Sequence, residues 1–487
     1  MRVPLSFLVA GLAALAAGGC SSSDEALGIA VIGEPPSAFE AGVRLSPAGQ
    51  LVRAATAQGL VAFDETGDVV PALAERWIVT DDGLSYIFRL RLGAWPDGTQ
   101  LTGESAAVAL RRALTAVRGT PLAADIGPVE AILARTGRVV EIRLGRPNPN
   151  LLQLLAQPEL GLLRRASGSG PMGLRRSGDV AFLTPYRPNG PGLGADTGSG
   201  EAPRSLRLAA LPAAGALAGF RDGDYSVVLG GRWDSLPLAR EVGLAQGSLQ
   251  FDPVAGLFGL TFTHASQFLG SPQNREAIAM AIDRAALAGS LKATNWVPAT
   301  RIVPAGIDDD IGTIGERWPE LDLDQRRAEA AARVSRWKPA SARPVLRLAL
   351  PATPGADIMF DRLASDLQAI GLRLQRVKEG APADLRLVDL VARYQRPEWY
   401  LRQLACGVRP GPCSPAADRL VAQADGSSDP AARAALLAEA EAELTAANSF
   451  VPLGPPIRWS LLRRGLSGFT PNRWAAHPLI AFALAPK

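Results

Sequence analysis

Residues 72–114 hold the most informative stretch of this sequence, ALAERWIVTDDGLSYIFRLRLGAWPDGTQLTGESAAVALRRAL. Tyr86, Phe88 and Leu90 alternate with Ile87, Arg89 and Arg91, which is the period of a half-buried β-strand. Asp-Asp-Gly at 81–83 and Pro-Asp-Gly at 96–98 supply turns on either side of it. Thr102 is a typical first residue for the helix that follows. The stretch therefore predicts short strands and turns that lead into one amphipathic helix.

The second half of the chain alternates strand-like and helix-like segments. Val345–Leu350 and Leu372–Val377 have the apolar composition of strands, and Asp357–Ile370 between them has the period of a helix. An Asp-Pro pair at 429–430 is a strong helix start, because it combines an N-cap residue with proline at the first helical position. Arg275–Leu291 predicts a further amphipathic helix. These segments indicate a mixed α/β protein.

The chain has 487 residues, of which 47% are apolar and 20% are charged, and its net charge is +4. This composition is typical of a globular protein. The length exceeds what one hydrophobic core usually serves, so two or three lobes are expected. A net charge this small for the length argues against nucleic acid as a partner, because phosphate binding needs a concentrated basic face.

The N-terminal segment predicts export. Arg2 precedes an apolar run from Leu5 to Ala17, which is too short to cross a bilayer and leads into polar residues. Small residues precede Cys20, and this arrangement resembles the lipobox of bacterial lipoproteins, whose cysteine is acylated once the signal peptide, here 1–19, is removed. We therefore expect a periplasmic protein anchored to the inner or outer membrane by lipid on Cys20. Ordinary cleavage that leaves a surface thiol is the alternative.

The other two cysteines, Cys406 and Cys413, enclose a short loop that contains glycine and proline. Thiols of exported proteins meet an oxidising environment, so the pair predicts a disulfide across this loop. His264 and His477 are the only histidines of the sequence, so a zinc or nickel site would lack its usual nitrogen ligands. We expect neither a metal nor a cofactor.

The stretch quoted first resembles the N-terminal signature of the oligopeptide- and dipeptide-binding proteins. These are bacterial extracellular solute-binding proteins of family 5, which serve ABC transporters. The family's LAxxW, DDGxxYxFxLR and DG elements all occur here at the family's spacing. The resemblance extends over nearly the whole chain after Cys20 through GSGPM at 168–172, FRDGDYSVV at 220–228, REAIAMAIDRAAL at 275–287, QAIGLRL at 368–374 and PAADRLVAQAD at 415–425.

The resemblance implies an α/β fold of the periplasmic-binding-protein-like type II (cluster C), in which two α/β lobes hinge shut on a ligand. In this class the first lobe carries an extra subdomain. The implied boundaries are 20–53, 166–259 and 456–487 for lobe I, 54–165 for the extra subdomain, and 260–455 for lobe II. Strand-like segments at 257–262 and 459–462 lie where the chain is expected to pass between the lobes.

Peptide binders of this family pair the ligand's α-ammonium with an acidic side chain a few residues before a proline. The corresponding segment here, ARYQRP at 392–397, places Arg393 where the acid is expected. An unpaired arginine in a water-excluding cleft repels an ammonium but binds a carboxylate or phosphate through its planar fork. The resemblance therefore implies a ligand that is not a simple free-amine peptide. A shifted alignment, or an Arg393 that points to solvent, is the alternative.

Four further side chains are candidates for the ligand site. Tyr394, Trp399 and Trp233 are aromatic residues that could form the walls of a largely apolar cleft. The alternative for each of them is a place in the core. His264 follows the expected hinge strand, and it either faces the cleft or has a structural role.

These features predict the solute-binding component of an ABC importer. We expect a monomer that binds a peptide-like or anionic small molecule between its lobes and delivers it to ABC permease subunits. No nucleophile with its base, metal cluster or carboxylate pair stands out, so enzymatic activity is not expected. The alternative is a lipoprotein of similar fold that does not transport but binds a protein partner or acts as a chaperone. That alternative rests on Arg393 and on the Gly- and Pro-rich segment 185–204.

Overall fold

The computed structural model describes residues 26–186, 203–242, 245, 247–337 and 344–484. The expected signal peptide and Cys20 therefore lie outside the described residues, as does most of the Gly- and Pro-rich segment 185–204. None of the described helices has both the length and the apolar character needed to cross a bilayer.

The strands of the described residues are, in chain order, β1 Leu27–Ile32, β2 Val61–Phe63, β3 Val69–Pro71, β4 Ala74–Val79, β5 Ser85–Leu90, β6 Val129–Arg135, β7 Val139–Leu144, β8 Leu163–Arg164, β9 Ser167–Gly168, β10 Met172–Ser177, β11 Val180–Pro185, β12 Leu206–Leu211, β13 Val227–Arg232, β14 Leu249–Phe251, β15 Gly256–Phe262, β16 Val345–Leu350, β17 Arg373–Lys378, β18 Leu385–Val391, β19 Phe450–Gly454 and β20 Arg458–Leu462. The helices are α1 Pro47–Thr56, α2 Gly103–Ala116, α3 Pro121–Ile126, α4 Leu151–Leu155, α5 Ala213–Asp222, α6 Leu236–Glu241, α7 Pro272–Ala281, α8 Arg284–Leu291, α9 Leu323–Arg336, α10 Pro354–Ala369, α11 Pro397–Arg402, α12 Pro415–Gly426, α13 Pro430–Ala447 and α14 Leu479–Leu484.

A seven-stranded mixed sheet has the order β10-β11-β12-β1-β13-β20-β14. At its centre β1 runs parallel to both β12 and β13, while β20 runs antiparallel to β13 and β14. The middle of β1, Ile29–Val31, is fully buried. A central strand that is covered on both faces carries such a continuous apolar run.

A five-stranded mixed sheet has the order β17-β16-β18-β15-β19. Here β16 is parallel to β17 and β18, and β15 is antiparallel to β18 and β19. Every residue of β15 is buried, which places this strand in the interior of the chain's second half. The α/β alternation predicted for this half is confirmed.

A smaller antiparallel sheet, β4-β5-β7-β6, is formed by the stretch quoted from the sequence and its neighbours. Tyr86, Phe88 and Leu90 of β5 are buried, so the predicted half-buried strand is confirmed. Thr102 caps α2 by accepting a hydrogen bond from the Ser105 N–H, and the Ser105 side chain accepts one from the Thr102 N–H in return. This capping box explains why the helix begins where the sequence predicted.

The chain passes between the two large sheets twice. Residues 252–255 join β14 to β15, and residues 455–457 join β19 to β20. Residues 256–259, which lie just before the boundary implied between lobe I and lobe II, are part of β15 in the five-stranded sheet. The boundary itself stays a prediction. Near these passes, Trp233 after β13 packs against Phe258 of β15 with ring centroids 6.0 Å apart.

One predicted helix is interrupted. Arg275–Leu291 forms two helices, α7 and α8, because Ile282 leaves the helical conformation and the Asp283 side chain accepts a hydrogen bond from the Ala286 N–H. Asp283 therefore starts a new helix instead of continuing the first one. The helix start predicted at Asp429 is confirmed, since its side chain accepts from the Ala431 N–H.

Candidate functional site

A cavity of about 420 Å³ lies between the seven-stranded and five-stranded sheets, and we call it the inter-sheet cavity. Its walls come from the ends of β13, β18 and β20, from one side of α1, from residues 156–159 and from residues 474–478. Its volume lies within the range of small-molecule pockets, roughly 300–1,000 Å³. Asp252 of the first pass and Arg458, which directly follows the second pass, line this cavity.

The wall of the inter-sheet cavity is mostly apolar, as expected for a site that excludes water from a small ligand. Its apolar side chains include Val31, Leu51, Ala54, Phe63, Leu229, Leu390, Trp459, Trp474 and Ile480. Gly231 lets the Trp459 indole lie against the β13 backbone, because a Cβ at this position would come within 2.2 Å of the ring. A larger residue there would push Trp459 away from the strand.

Three arginines also line the cavity, and two of them share one carboxylate. Asp389 of β18 accepts hydrogen bonds from Arg232 of β13, at 2.8 Å, and from Arg458 of β20, at 2.8 Å. The Asp389 side chain is only 5% exposed. Since Arg232 and Arg458 belong to the seven-stranded sheet and Asp389 to the five-stranded sheet, this triad ties the two sheets together at the cavity.

Arg393, the third arginine, lines the cavity just after β18. It is not unpaired, because its guanidinium donates to Asp125 at 2.7 Å. Asp125 is the penultimate residue of α3, and its side chain is 2% exposed. Burial raises the pKa of Asp125 above its ordinary value even though Arg393 attracts the carboxylate. The premise of an uncompensated positive charge at Arg393 is therefore wrong, although the residue does lie at the cavity.

Asp125 could not have been found from the sequence. It lies 268 residues before its partner and in no motif that marks it as charged and buried. Arg393 and Asp125 join two different parts of the chain, namely the five-stranded sheet and the region around the small antiparallel sheet. A second ion pair, Arg146 with Asp425 of α12 at 2.7 Å, joins the same two parts.

The three aromatic candidates are core residues and do not line the cavity. Tyr394 is 2% exposed, and its hydroxyl accepts a hydrogen bond from Arg402 at 3.2 Å. Trp399 packs edge-on against Tyr400 with centroids 5.1 Å apart, and Trp233 packs on Phe258. All three face the interior because their large apolar surfaces are buried more favourably there than beside a solvent-accessible cavity.

His264 also lies away from the cavity. Its ring nitrogens lie 2.8 Å from the Asp384 carboxylate and 2.8 Å from the Ser266 hydroxyl. Burial acts to raise the pKa of Asp384, but hydrogen bonds from Arg347 and His264 outweigh it and hold the pKa at about 2. The arrangement orients the chain at the end of β15, which favours a structural role for this histidine.

His477, the other histidine, does line the cavity, although no feature of the sequence singled it out. Its Nε2 lies 3.2 Å from Asp252 Oδ2, and its ring stacks on Phe469 with centroids 4.3 Å apart. The other Asp252 oxygen accepts from the Asn472 N–H at 2.9 Å. These contacts fix the pass at 252–255 against the segment that follows β20.

Cys406 and Cys413 are joined by a disulfide between α11 and α12, as the sequence predicted. The Cys406 N–H donates to Asp418 of α12 at 3.0 Å, which holds the loop against that helix. In the described part of the chain there is no group of three or more His, Cys, Asp or Glu residues suited to hold a metal ion.

Comparison with known proteins agrees with this architecture. Residues 68–173 match the family model of the bacterial extracellular solute-binding proteins, family 5 Middle. The probable deoxycholate-binding periplasmic protein YgiS of Escherichia coli K12 is 36% identical over 121 residues, which is 21% of this chain and 23% of YgiS. The glutathione-binding protein GsiB of the same strain is 26% identical over 273 residues, 51% of each protein. The chain thus spans about half or less of the curated relatives it matches.

The likeness in fold covers nearly the whole chain. The crystal structure of Haemophilus influenzae OppA in complex with the peptide RPPGFSPFR superposes with a TM-score of 0.78 and 16% identity, covering 94% of this chain and 98% of OppA. At that identity the likeness shows the fold alone, and it confirms the predicted type II periplasmic-binding-protein fold. Residues 68–173 thus match family 5 of the bacterial extracellular solute-binding proteins, and the chain shares the fold of OppA.

Proposed function

We propose that this protein is the extracytoplasmic solute-binding component of an ABC importer and that it holds a peptide-like or anionic small molecule in the inter-sheet cavity. The observation that carries the proposal is the cavity itself. It lies between two sheets joined by only two passes, 252–255 and 455–457, and it has a mostly apolar wall with a few charged groups. Two bodies joined in this way can hinge around a solute.

The charged groups favour a solute with an acidic or strongly polar end. Arg232, Arg393 and Arg458 line the cavity, and guanidinium groups bind carboxylates through paired hydrogen bonds. The apolar wall favours a solute with a sizeable apolar part. The names of the two relatives agree with such a solute, since deoxycholate is an apolar body with one carboxylate and glutathione is a small acidic peptide.

The proposal includes a division into lobes. The seven-stranded sheet would be the core of lobe I, the five-stranded sheet the core of lobe II, and the small antiparallel sheet the core of the extra subdomain.

We further propose that the protein is monomeric, that acylated Cys20 anchors it to a membrane in the periplasm, and that ABC permease subunits are its partners. Labelling with radioactive palmitate, lost in Cys20→Ala, tests the anchor. The non-transporting alternative has less support, because the cavity is retained.

Identification of the bound solute tests the proposal. The protein is purified under native conditions, its solutes are extracted and identified by mass spectrometry, and their binding is measured by isothermal titration. We expect one solute per chain, with binding abolished by Ala54→Trp, which fills the cavity from α1, and unchanged by Ala432→Trp on the exposed side of α13. Equal binding by both variants, or no solute across a broad metabolite screen, would contradict the proposal.

A further inference from the structure

The carboxylates that line the inter-sheet cavity differ in how well they are paired. Both oxygens of Asp389 accept hydrogen bonds from arginine, and both oxygens of Asp252 have partners as well, in Asn472 and His477. Glu159 is the third lining carboxylate. Its Oε1 accepts from the Gln50 side chain at 3.2 Å, whereas its Oε2 is buried and has no hydrogen-bond partner among the described residues.

A buried carboxylate oxygen without a hydrogen-bond donor is unusual, because no protein hydrogen bond replaces the water that the oxygen has lost. Arg53, one turn after Gln50 on α1, is close enough to attract Glu159. Its guanidinium instead donates to the Gly42 carbonyl, and no ion pair within 4 Å joins Arg53 to Glu159 in the described part of the chain. Glu159 is thus the cavity carboxylate that retains a free acceptor.

We propose that Glu159 receives a cationic group of the solute, such as an ammonium, and that the solute is a zwitterion whose acidic end lies at the cavity arginines. This inference rests on the proposed function. The terminal torsion of a glutamate is broad, so the Glu159 carboxylate can turn and present Oε2, which is enclosed without a solute, to a cationic group in the cavity. The cation and the acidic end then contact different walls, one at α1 and residues 156–159, the other at β13, β18 and β20.

The pairing of Arg393 with Asp125 makes an ammonium acceptable in the cavity. An uncompensated arginine would have repelled it, but the Arg393 charge is balanced by a carboxylate 2.7 Å away. Arg232 and Arg458 share a single carboxylate, Asp389, so this wall still has one guanidinium more than the carboxylates that pair with it. The cavity therefore offers a free acceptor on one wall and surplus donors on another.

The test uses isothermal titration with di- to tetrapeptides in free, N-acetylated and C-amidated forms, and with deoxycholate as an anion that has no cationic group. The proteins are the wild type, Glu159→Gln, and Glu439→Gln as a matched change on the exposed side of α13. For the best free peptide, we expect N-acetylation to weaken binding to the wild type and to Glu439→Gln by roughly tenfold to a hundredfold, the range of a charge-assisted hydrogen bond. Glu159→Gln should bind both forms alike.

Glu159→Gln should also unfold at the same temperature as the wild type or a higher one when no solute is present, because it removes a carboxylate with one buried oxygen that has no hydrogen bond. N-acetylation that weakens all three proteins equally, or none of them, would overturn the role of Glu159 while leaving the proposed function intact. The same holds if deoxycholate binds more tightly than every peptide and Glu159→Gln does not change that binding. If no probe binds and no solute co-purifies, the proposed function fails together with this inference.

Discussion

Replacing Arg393 by glutamine should destabilise the protein at neutral pH. The Arg393 guanidinium lies 2.7 Å from Asp125, whose side chain is 2% exposed. Removing one partner of a buried ion pair costs about 3–5 kcal/mol, because the remaining charge is left without compensation. Arg402 also attracts Asp125, and Arg393 itself is 27% exposed. We therefore expect a smaller loss in the free energy of unfolding, of about 2–3 kcal/mol.

The loss should depend on pH with a definite sign. Burial already raises the pKa of Asp125 in the folded wild type. Without Arg393 this pKa rises further, so the folded variant holds a proton that the unfolded chain releases at the ordinary aspartate pKa. Stability then falls as the pH rises through the interval between the unfolded and folded pKa values. The variant should be close to the wild type below that interval and show its full loss above it.

Urea titrations near neutral pH and at about pH 4 measure this effect, the lower value being close to the ordinary aspartate pKa. The double variant Arg393→Gln/Asp125→Asn removes both charges and should recover most of the loss. Arg419→Gln on the exposed side of α12 is the matched control and should lie within about 0.5 kcal/mol of the wild type. An equal loss at both pH values, or a double variant as unstable as the single one, would refute this account of Asp125.

Three further changes have expected outcomes that unfolding titrations can check. Replacing both Cys406 and Cys413 by serine should lower the free energy of unfolding by about 2.5 kcal/mol, because the loop between α11 and α12 gains freedom in the unfolded chain. No change would mean that the hydrogen bond from the Cys406 N–H to Asp418 is enough to hold the loop. Trp233→Ala should lower the free energy of unfolding by about 3–5 kcal/mol. Trp233→Phe should lower it much less, since the indole N–H has no hydrogen-bond partner among the described residues. Equal losses in the two variants would indicate a hydrogen bond from the indole. Asp389→Asn should lower the free energy of unfolding by about 2 kcal/mol and increase the radius of gyration measured by solution scattering, because the two arginines that tie the sheets together lose the charge they share. An unchanged radius would show that the triad does not hold the sheets together.

The local features of this fold could be predicted from the sequence. Helix starts at Thr102 and Asp429 depend on hydrogen bonds to residues two or three positions away, so their signals are complete within a short window. The buried face of β5 follows from a two-residue period. The break at Asp283 was missed because the apolar pattern of 275–291 continues through it, and the capping side chain competes with that pattern only in the folded structure.

The site could be predicted only in part. Arg393 lies at the cavity, as the resemblance of residues 392–397 to the family's ligand-binding segment implied. Its partner Asp125, and the pairing of Asp389 with arginines of the other sheet, depend on contacts between residues that lie 69 to 268 positions apart. Tyr394, Trp399 and Trp233 were candidates for the site because the same aromatic surface suits a cleft or a core. Only the packing of the sheets decides between these two environments.

The central claim is that two bodies close around a solute, and a distance measured across the cavity tests it most directly. Spin labels are placed at Ala214→Cys on α5, which packs on the seven-stranded sheet, and at Ala435→Cys on α13, both exposed, in a Cys20→Ala background that keeps the disulfide. The distance between the labels is recorded by pulsed electron paramagnetic resonance before and after the extracted solute is added. We predict one narrow, shorter distance with solute and a longer or broader distribution without it. Identical distributions in both states, with solute demonstrably bound, would contradict the claim.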